Sequence, residues 1–130
     1  KGPLGHSDGD ALCHAIADAL LGAASMGDIG LWFPPGDPEF AGASSLELLR
    51  KISVAVKEKG FAIANIDSVI ICENPKISPH YDLMRQRLAE ALQIDASLVS
   101  VKATTNEGLG EIGQGDAIAA KAIALLTLPA

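Results

Sequence analysis

Aromatic residues are scarce in this chain: one Trp, one Tyr and three Phe among 130 residues, 4% in all. Apolar residues nevertheless make up 48%, so the core must be aliphatic, built from Ala, Leu, Ile and Val. Basic clusters are missing as well. Arg50-Lys51 is the longest basic run and the net charge is −6. That argues against non-specific nucleic-acid binding, which needs clustered Lys and Arg to neutralise phosphates. A phosphate-ester ligand would have to draw positive charge from metal ions and single placed lysines. Cysteine is limited to Cys13 and Cys72, far apart in apolar surroundings, with no CxxC or paired Cys/His spacing to suggest a structural zinc. Buried thiols in a reducing compartment are expected rather than a disulfide. There is no signal-peptide pattern, and no apolar run is long enough to span a bilayer. No repeat, low-complexity stretch or linker divides the chain, and its length suits one domain.

The apolar pattern places the elements. Leu12, Ile16, Ala19, Leu20 and Ala23 recur at helical spacing, predicting a helix over about 10–25 with Gly27 as its stop. Residues 30–42 read as a loop. Ser44 or Ser45 is a good N-cap for a second helix that runs to about 59, carries Leu46, Leu49, Ile52, Val54 and Val56, and ends at Gly60. Residues 66–72 hold Ile66, Val69, Ile70 and Ile71, a nearly continuous apolar run that predicts a buried strand ended by Asn74-Pro75. A helix over about 79–93, a strand over 98–103 and a Gly-rich loop over 107–115 follow. Residues 117–128 are ambiguous, since their alanines favour a helix by propensity. The fold class is α/β, an α+β sandwich with helices on one face of a mixed sheet.

One segment concentrates chemistry. Residues 5–14 pack His6, Asp8, Asp10 and His14 together where a helix begins. Asp10 and His14 are four apart and share a helix face; His6, Ser7 and Asp8 are expected in the loop that feeds it. Metal binding and phosphate handling both want this arrangement. The plainer alternative is that Asp8 or Asp10 caps the helix and His14 is a core histidine.

The same segment, followed in order by Gly27-Asp28-Ile29-Gly30, Phe33-Pro34, Asn74-Pro75-Lys76, Pro79-His80 and residues 101–107 (Val-Lys-Ala-Thr-Thr-Asn-Glu), resembles the 2-C-methyl-D-erythritol 2,4-cyclodiphosphate synthase family of the non-mevalonate isoprenoid pathway. The resemblance runs from about residue 5 to 126. It implies a phosphorus–oxygen lyase that turns a 2-phosphorylated cytidine diphosphate ester of methylerythritol into a cyclic diphosphate plus CMP. It also implies a homotrimer with active sites between subunits, a strand over 117–128, and a cytoplasmic or plastid-stromal setting.

Residue by residue, the resemblance makes His14 the third ligand of a zinc ion and Glu107 the ligand of a magnesium or manganese ion. Asp10, one turn from His14, is expected to orient its imidazole. His6 and Ser7 match contacts to the methylerythritol phosphate, and His6 and Thr105 match the transition-state stabilisers. Asp28, Ile29 and Gly30 match the ribose turn. Phe33 and Asp37 match the substrate loop. Cys72, Asn74, Pro75, Lys76, Ile77 and Ser78 match the cytosine pocket, and Thr104 and Thr105 suit phosphate oxygens. The family's Asp-x-His motif, source of the other two zinc ligands, lies outside residues 1–130. The chain opens at Lys1-Gly2-Pro3-Leu4 without Met, and the expectation is that residues bearing that motif and its strand precede it. A metal-poor form is the alternative.

Some positions depart from the family pattern. Pro35 stands where the first Asp of the loop is usual. Gly108, Glu111 and Gln114 replace a Lys, a Phe and an Arg. In relatives that Phe and Arg line a cavity on the trimer axis that holds isoprenoid diphosphates, so such ligands are expected to bind poorly here. Two rival functions are a metal-dependent phosphohydrolase and a non-catalytic trimeric CMP-binding module.

Overall fold

A computed structural model of the chain describes residues 7–34, 44–73, 80–113 and 118–128. In chain order it contains helix α1 (Ser7–Ala23), a short helix α2 (Ile29–Trp32), α3 (Ser45–Glu58), strand β1 (Ala62–Ile71), α4 (Tyr81–Leu92), a 3₁₀ turn (Ala96–Leu98), β2 (Val99–Thr104), a short α5 (Gly110–Gly113) and β3 (Ala119–Thr127). Among the described residues the sheet runs β2-β1-β3. β1 pairs in parallel with β2, Ile66 opposite Val99 and Ile71 opposite Thr104. It pairs antiparallel with β3, with an irregularity between Ile63 and Asn65. No described helix is long and apolar enough to cross a membrane.

The helices cover one sheet face. α1 lies on β1 and β3, α4 on β2, and α3 packs against both helices. Leu12, Ile16, Leu20 and Leu21 of α1 are fully buried with Leu49, Ile52, Ile66, Ile70, Met84, Leu88 and Leu92, the aliphatic core the composition demands. β3 resolves its ambiguity by period: Ala120, Ala122, Ala124 and Leu126 turn inward while Lys121, Ile123 and Leu125 turn out. Small alanines on the inner face let α1 approach the sheet closely. Among the described residues nothing covers the opposite face. Lys102 pairs there with Asp67 at 2.9 Å, Val69 is half-buried, and Ile123 is 73% exposed. The described residues bury the strand expected over 66–72 on one side.

Helix ends explain the differences in boundaries. α1 stops before Gly27 because Ser25 takes the left-handed conformation (φ 58), and Met26 N–H donates to Leu21 O at 2.8 Å to close the end. Gly27 (φ 93) instead turns the chain into α2, so the loop expected over 30–42 contains a helical turn at its start. At its other end α1 already includes Ser7 and Asp8, which were expected in a loop. α3 begins as expected, with Ser44 and Glu47 forming a reciprocal capping box. β1 starts four residues earlier than the β-branched run suggests, and α4 two residues after Pro79. The Gly-rich stretch over 107–115 contains α5.

The C-terminus of α4 is capped from α3. Ser53 Oγ donates to Leu92 O at 3.0 Å, and Lys57 Nζ reaches the same carbonyl. Burial lowers the Lys57 pKa from its ordinary value. Ser53→Ala removes a buried hydrogen bond and is expected to cost about 1 kcal/mol. Leu20→Ala should cost about 3 kcal/mol through lost burial and a cavity. Urea unfolding measures both, and a Leu20→Ala variant as stable as the parent would contradict this core.

Candidate active site

The outer side of α1 carries Asp10, His14 and Asp18 at four-residue spacing, all exposed, while its inner side is apolar. Exposure of His14 removes the core-histidine alternative. Asp10 Oδ1 accepts a hydrogen bond from Ser45 Oγ at 2.7 Å. That bond ties α1 to the first turn of α3, and no hydrogen bond joins Asp10 to His14 among the described residues. In this structure the Asp10 oxygen is taken by Ser45 and not by the imidazole it was expected to orient. Asp18 was not singled out in the sequence, although its spacing from His14 was visible. Its Oδ1 accepts from the Ile29 backbone N–H at 2.7 Å.

Through Asp18 the helix holds the turn that contains Asp28, Ile29 and Gly30. Asp28 Oδ1 caps α2 by accepting from Leu31 N–H at 2.9 Å. Trp32 Nε1 donates to Met26 O at 2.8 Å. Ile29 and Phe33 pack against the core. Gly30 is exposed, and a Cβ there would meet only Asp28 Oδ1 at 3.5 Å. The fold itself does not demand glycine at this position; the missing side chain opens the backbone towards solvent.

A second cluster forms beyond the C-terminal ends of β1 and β2, the end of a parallel pair where ligands commonly bind. Cys72 N–H donates to Thr104 O at 3.0 Å. Next to it, Glu73 Oε2 accepts from Asn106 N–H at 2.6 Å. Thr105 Oγ1 accepts from Glu107 N–H at 3.2 Å, and Asn106 Nδ2 donates to Leu109 O at 2.8 Å. Glu107 adopts the left-handed conformation (φ 54), which costs a non-glycine residue energy and needs support from its surroundings. A Cβ on Gly113 would lie 2.1 Å from the Gly108 carbonyl carbon, so glycine there is required to close the loop. Thr104, Thr105 and Glu107 are exposed. The contact between Glu73 and Asn106 was not foreseen from the sequence, because a side chain meeting a distant backbone N–H leaves no periodic signature.

His6, Asp37, Asn74, Pro75, Lys76, Ile77 and Ser78 lie outside the described residues, as do Pro35 and Gln114; Ser7 is the first residue of α1. Among the described residues no three His, Cys, Asp or Glu side chains converge to hold a metal ion. His14 and Glu107 are each of a fitting donor type, a nitrogen for zinc and an oxygen for a hard cation. No hydrogen bond joins the α1 cluster to the sheet-end cluster among the described residues. A depression of about 260 Å³ on the open sheet face is lined by Asp67, Val69, Lys102, Lys121 and Ile123, and none of the candidate residues borders it.

The arrangement is that of a small-molecule enzyme rather than a scaffold: an exposed imidazole, paired threonines and carboxylates are held at the edges of one rigid sandwich. The YgbB family profile matches residues 1–127, and the chain belongs to that family. Over 125 residues it is 56% identical to the 2-C-methyl-D-erythritol 2,4-cyclodiphosphate synthase of Thermosynechococcus vestitus, covering 96% of this chain and 78% of that protein. Among solved structures, the bifunctional IspDF of Campylobacter jejuni superposes with a TM-score of 0.88 at 41% identity, over 95% of this chain and 33% of that one. A Plasmodium falciparum IspF, solved as a CDP complex, superposes with a TM-score of 0.79 at 37% identity, over 95% of this chain and 74% of that one.

Both cysteines are buried and neither forms a disulfide. Burial, with a smaller contribution from the Asp10 charge, pushes the Cys13 thiol up to about 12. The folded state therefore favours the protonated thiol. This contribution to stability is intact below the thiol's ordinary value near 9 and is lost as pH rises from there towards about 12. Iodoacetamide at pH 8 is expected to leave Cys13 unmodified in the folded protein and to label it in urea. Peptide mass mapping reads this, and rapid labelling of the native state would contradict the burial.

Proposed function

We propose that the protein catalyses cyclisation of 4-diphosphocytidyl-2-C-methyl-D-erythritol 2-phosphate to the 2,4-cyclodiphosphate with release of CMP. The observation that carries this reading is the 56% identity, across nearly the whole chain, to a synthase of that name. An oxygen of the substrate's own 2-phosphate attacks the β-phosphorus, and the bond from that phosphorus to the oxygen bridging to the α-phosphate breaks. CMP departs with the electron pair. No covalent enzyme intermediate is required, so catalysis consists of folding the substrate and offsetting its charge.

In this reading the residues take the following roles. Thr105 Oγ1 accepts from Glu107 N–H, which leaves its own proton for a phosphate oxygen in the transition state. His6 acts as the second stabiliser, with Ser7 on the methylerythritol phosphate and Thr104 on the diphosphate. Asp28 uses one oxygen as a cap and has the other for ribose hydroxyls, with Ile29 and Gly30 completing the turn. Cys72 and residues 74–78 form the cytosine pocket; Phe33 and Asp37 flank the methylerythritol. His14 would hold zinc with ligands beyond the described residues, and Glu107 would hold magnesium or manganese together with substrate phosphates. Metals bound there supply Lewis-acid neutralisation of phosphate charge.

A homotrimer completes the site in this reading. Its support is twofold: among the described residues no hydrogen bond joins the two clusters, and none of those residues covers the sheet face bearing Val69 and Ile123. A cytoplasmic or plastid-stromal setting fits the unbridged cysteines.

Turnover with the 2-phosphorylated substrate, zinc and magnesium, followed by phosphorus NMR, is expected to yield a cyclic diphosphate and CMP. His14→Ala should reduce the rate by more than about 100-fold, equivalent to losing roughly 3 kcal/mol of transition-state stabilisation. An open-chain phosphate would identify a hydrolase instead. CMP binding without turnover would identify a binding module.

A further inference from the structure

We infer that Glu73 is a positioning residue for the proposed cyclisation, clasping the loop that carries Thr105 and Glu107 to the C-terminal end of β1. The inference rests on the reading above. Glu73 follows Cys72 directly, where the chain leaves β1. Its Oε2 lies 2.6 Å from Asn106 N, the backbone amide between the proposed transition-state stabiliser and the proposed metal ligand. A carboxylate receiving a backbone N–H makes a charge-assisted hydrogen bond, stronger than a neutral one.

The loop has reason to need this anchor. β1–β2 pairing ends with Ile71 opposite Thr104, and the Cys72 N–H beyond it donates to Thr104 O. Beyond it, Glu107, Gly108 and Gly110 all take positive φ. The loop's other hydrogen bonds among the described residues are local: Glu107 N–H to Thr105 Oγ1, Thr104 Oγ1 to Thr105 O, Asn106 Nδ2 to Leu109 O, Leu109 N–H to Asn106 O and Gly113 N–H to Leu109 O. They shape the loop but do not fix it to the sheet. Glu73 does, from the neighbouring strand. A loop free to shift by an ångström would still allow CMP to bind but would misplace the donor, an error that falls on turnover rather than affinity.

The test uses the full-length protein and three measurements on Glu73→Ala and Glu73→Gln. These are kcat and KM with the 2-phosphorylated substrate, calorimetric CMP affinity, and amide hydrogen exchange at Asn106 without substrate or metal. For Glu73→Ala we expect kcat to fall about tenfold with KM and CMP affinity within about threefold, and Asn106 exchange to accelerate. Glu73→Gln retains an acceptor oxygen and should restore most of kcat and of the Asn106 protection. An alanine variant with parental kcat and parental Asn106 exchange would overturn the inference. So would an alanine variant whose losses follow general unfolding, seen as faster exchange throughout the core, or a glutamine variant no better than alanine. A parent protein without turnover would defeat the functional reading instead, and with it a catalytic role for Glu73, while the exchange data would still show whether the clasp exists.

Discussion

Helix α1 must bury Leu12, Ile16, Leu20 and Leu21 completely against β1, β3 and α3, and that demand settles which of its residues can face outward. At 3.6 residues per turn, the positions left over include Asp10, His14 and Asp18. Burying one side of the helix therefore delivers the functional side in register. Each flanking carboxylate then fastens a neighbouring piece of chain: Asp10 takes Ser45 at the head of α3, and Asp18 takes the Ile29 amide of the substrate turn. An exposed imidazole between two such anchors sits on a surface whose geometry is set by the core.

The sheet performs the matching task at the other cluster. β1 is central, with β2 parallel on one side and β3 antiparallel on the other. The parallel pair ends with both chains running outward side by side, one towards Glu73 and the other towards Thr105. Hydrogen bonds between those exits, rather than a rigid element, define the loop. The contrast has an energetic side. The α1 cluster rests on fully buried leucines, whereas the threonine loop rests on a few exposed hydrogen bonds, which places it at the low end of local stability. In the proposed cyclisation this loop must admit and release a charged substrate, and low local stability suits that task.

Much of this was legible in the sequence wherever a residue's role is local. Ser44 and Gly60 bracket α3 by their own chemistry, and the resemblance carried by 101–107 drew attention to Thr104, Thr105 and Glu107. Legibility failed where a distant contact decides the outcome. Ser25 rather than Gly27 terminates α1, because the surrounding turn supports a left-handed serine. The alanines of β3 score as helical until their alternation is matched to the surface of α1. Asp10 looked like a partner of His14 by spacing, yet Ser45, 35 residues away, takes its carboxylate. Glu73 and Asp18 act on backbone amides far along the chain, which no motif records.

The most direct measurement is a crystal structure of the full-length protein with CDP, zinc and magnesium. The account predicts the ribose against Asp28 and Gly30, the base in the loop that follows Cys72, the diphosphate at Thr104 and Thr105, and His14 Nε2 or Nδ1 within about 2.1 Å of zinc. Nucleotide bound elsewhere, or a His14 imidazole that ligates nothing while CDP is in place, would contradict it.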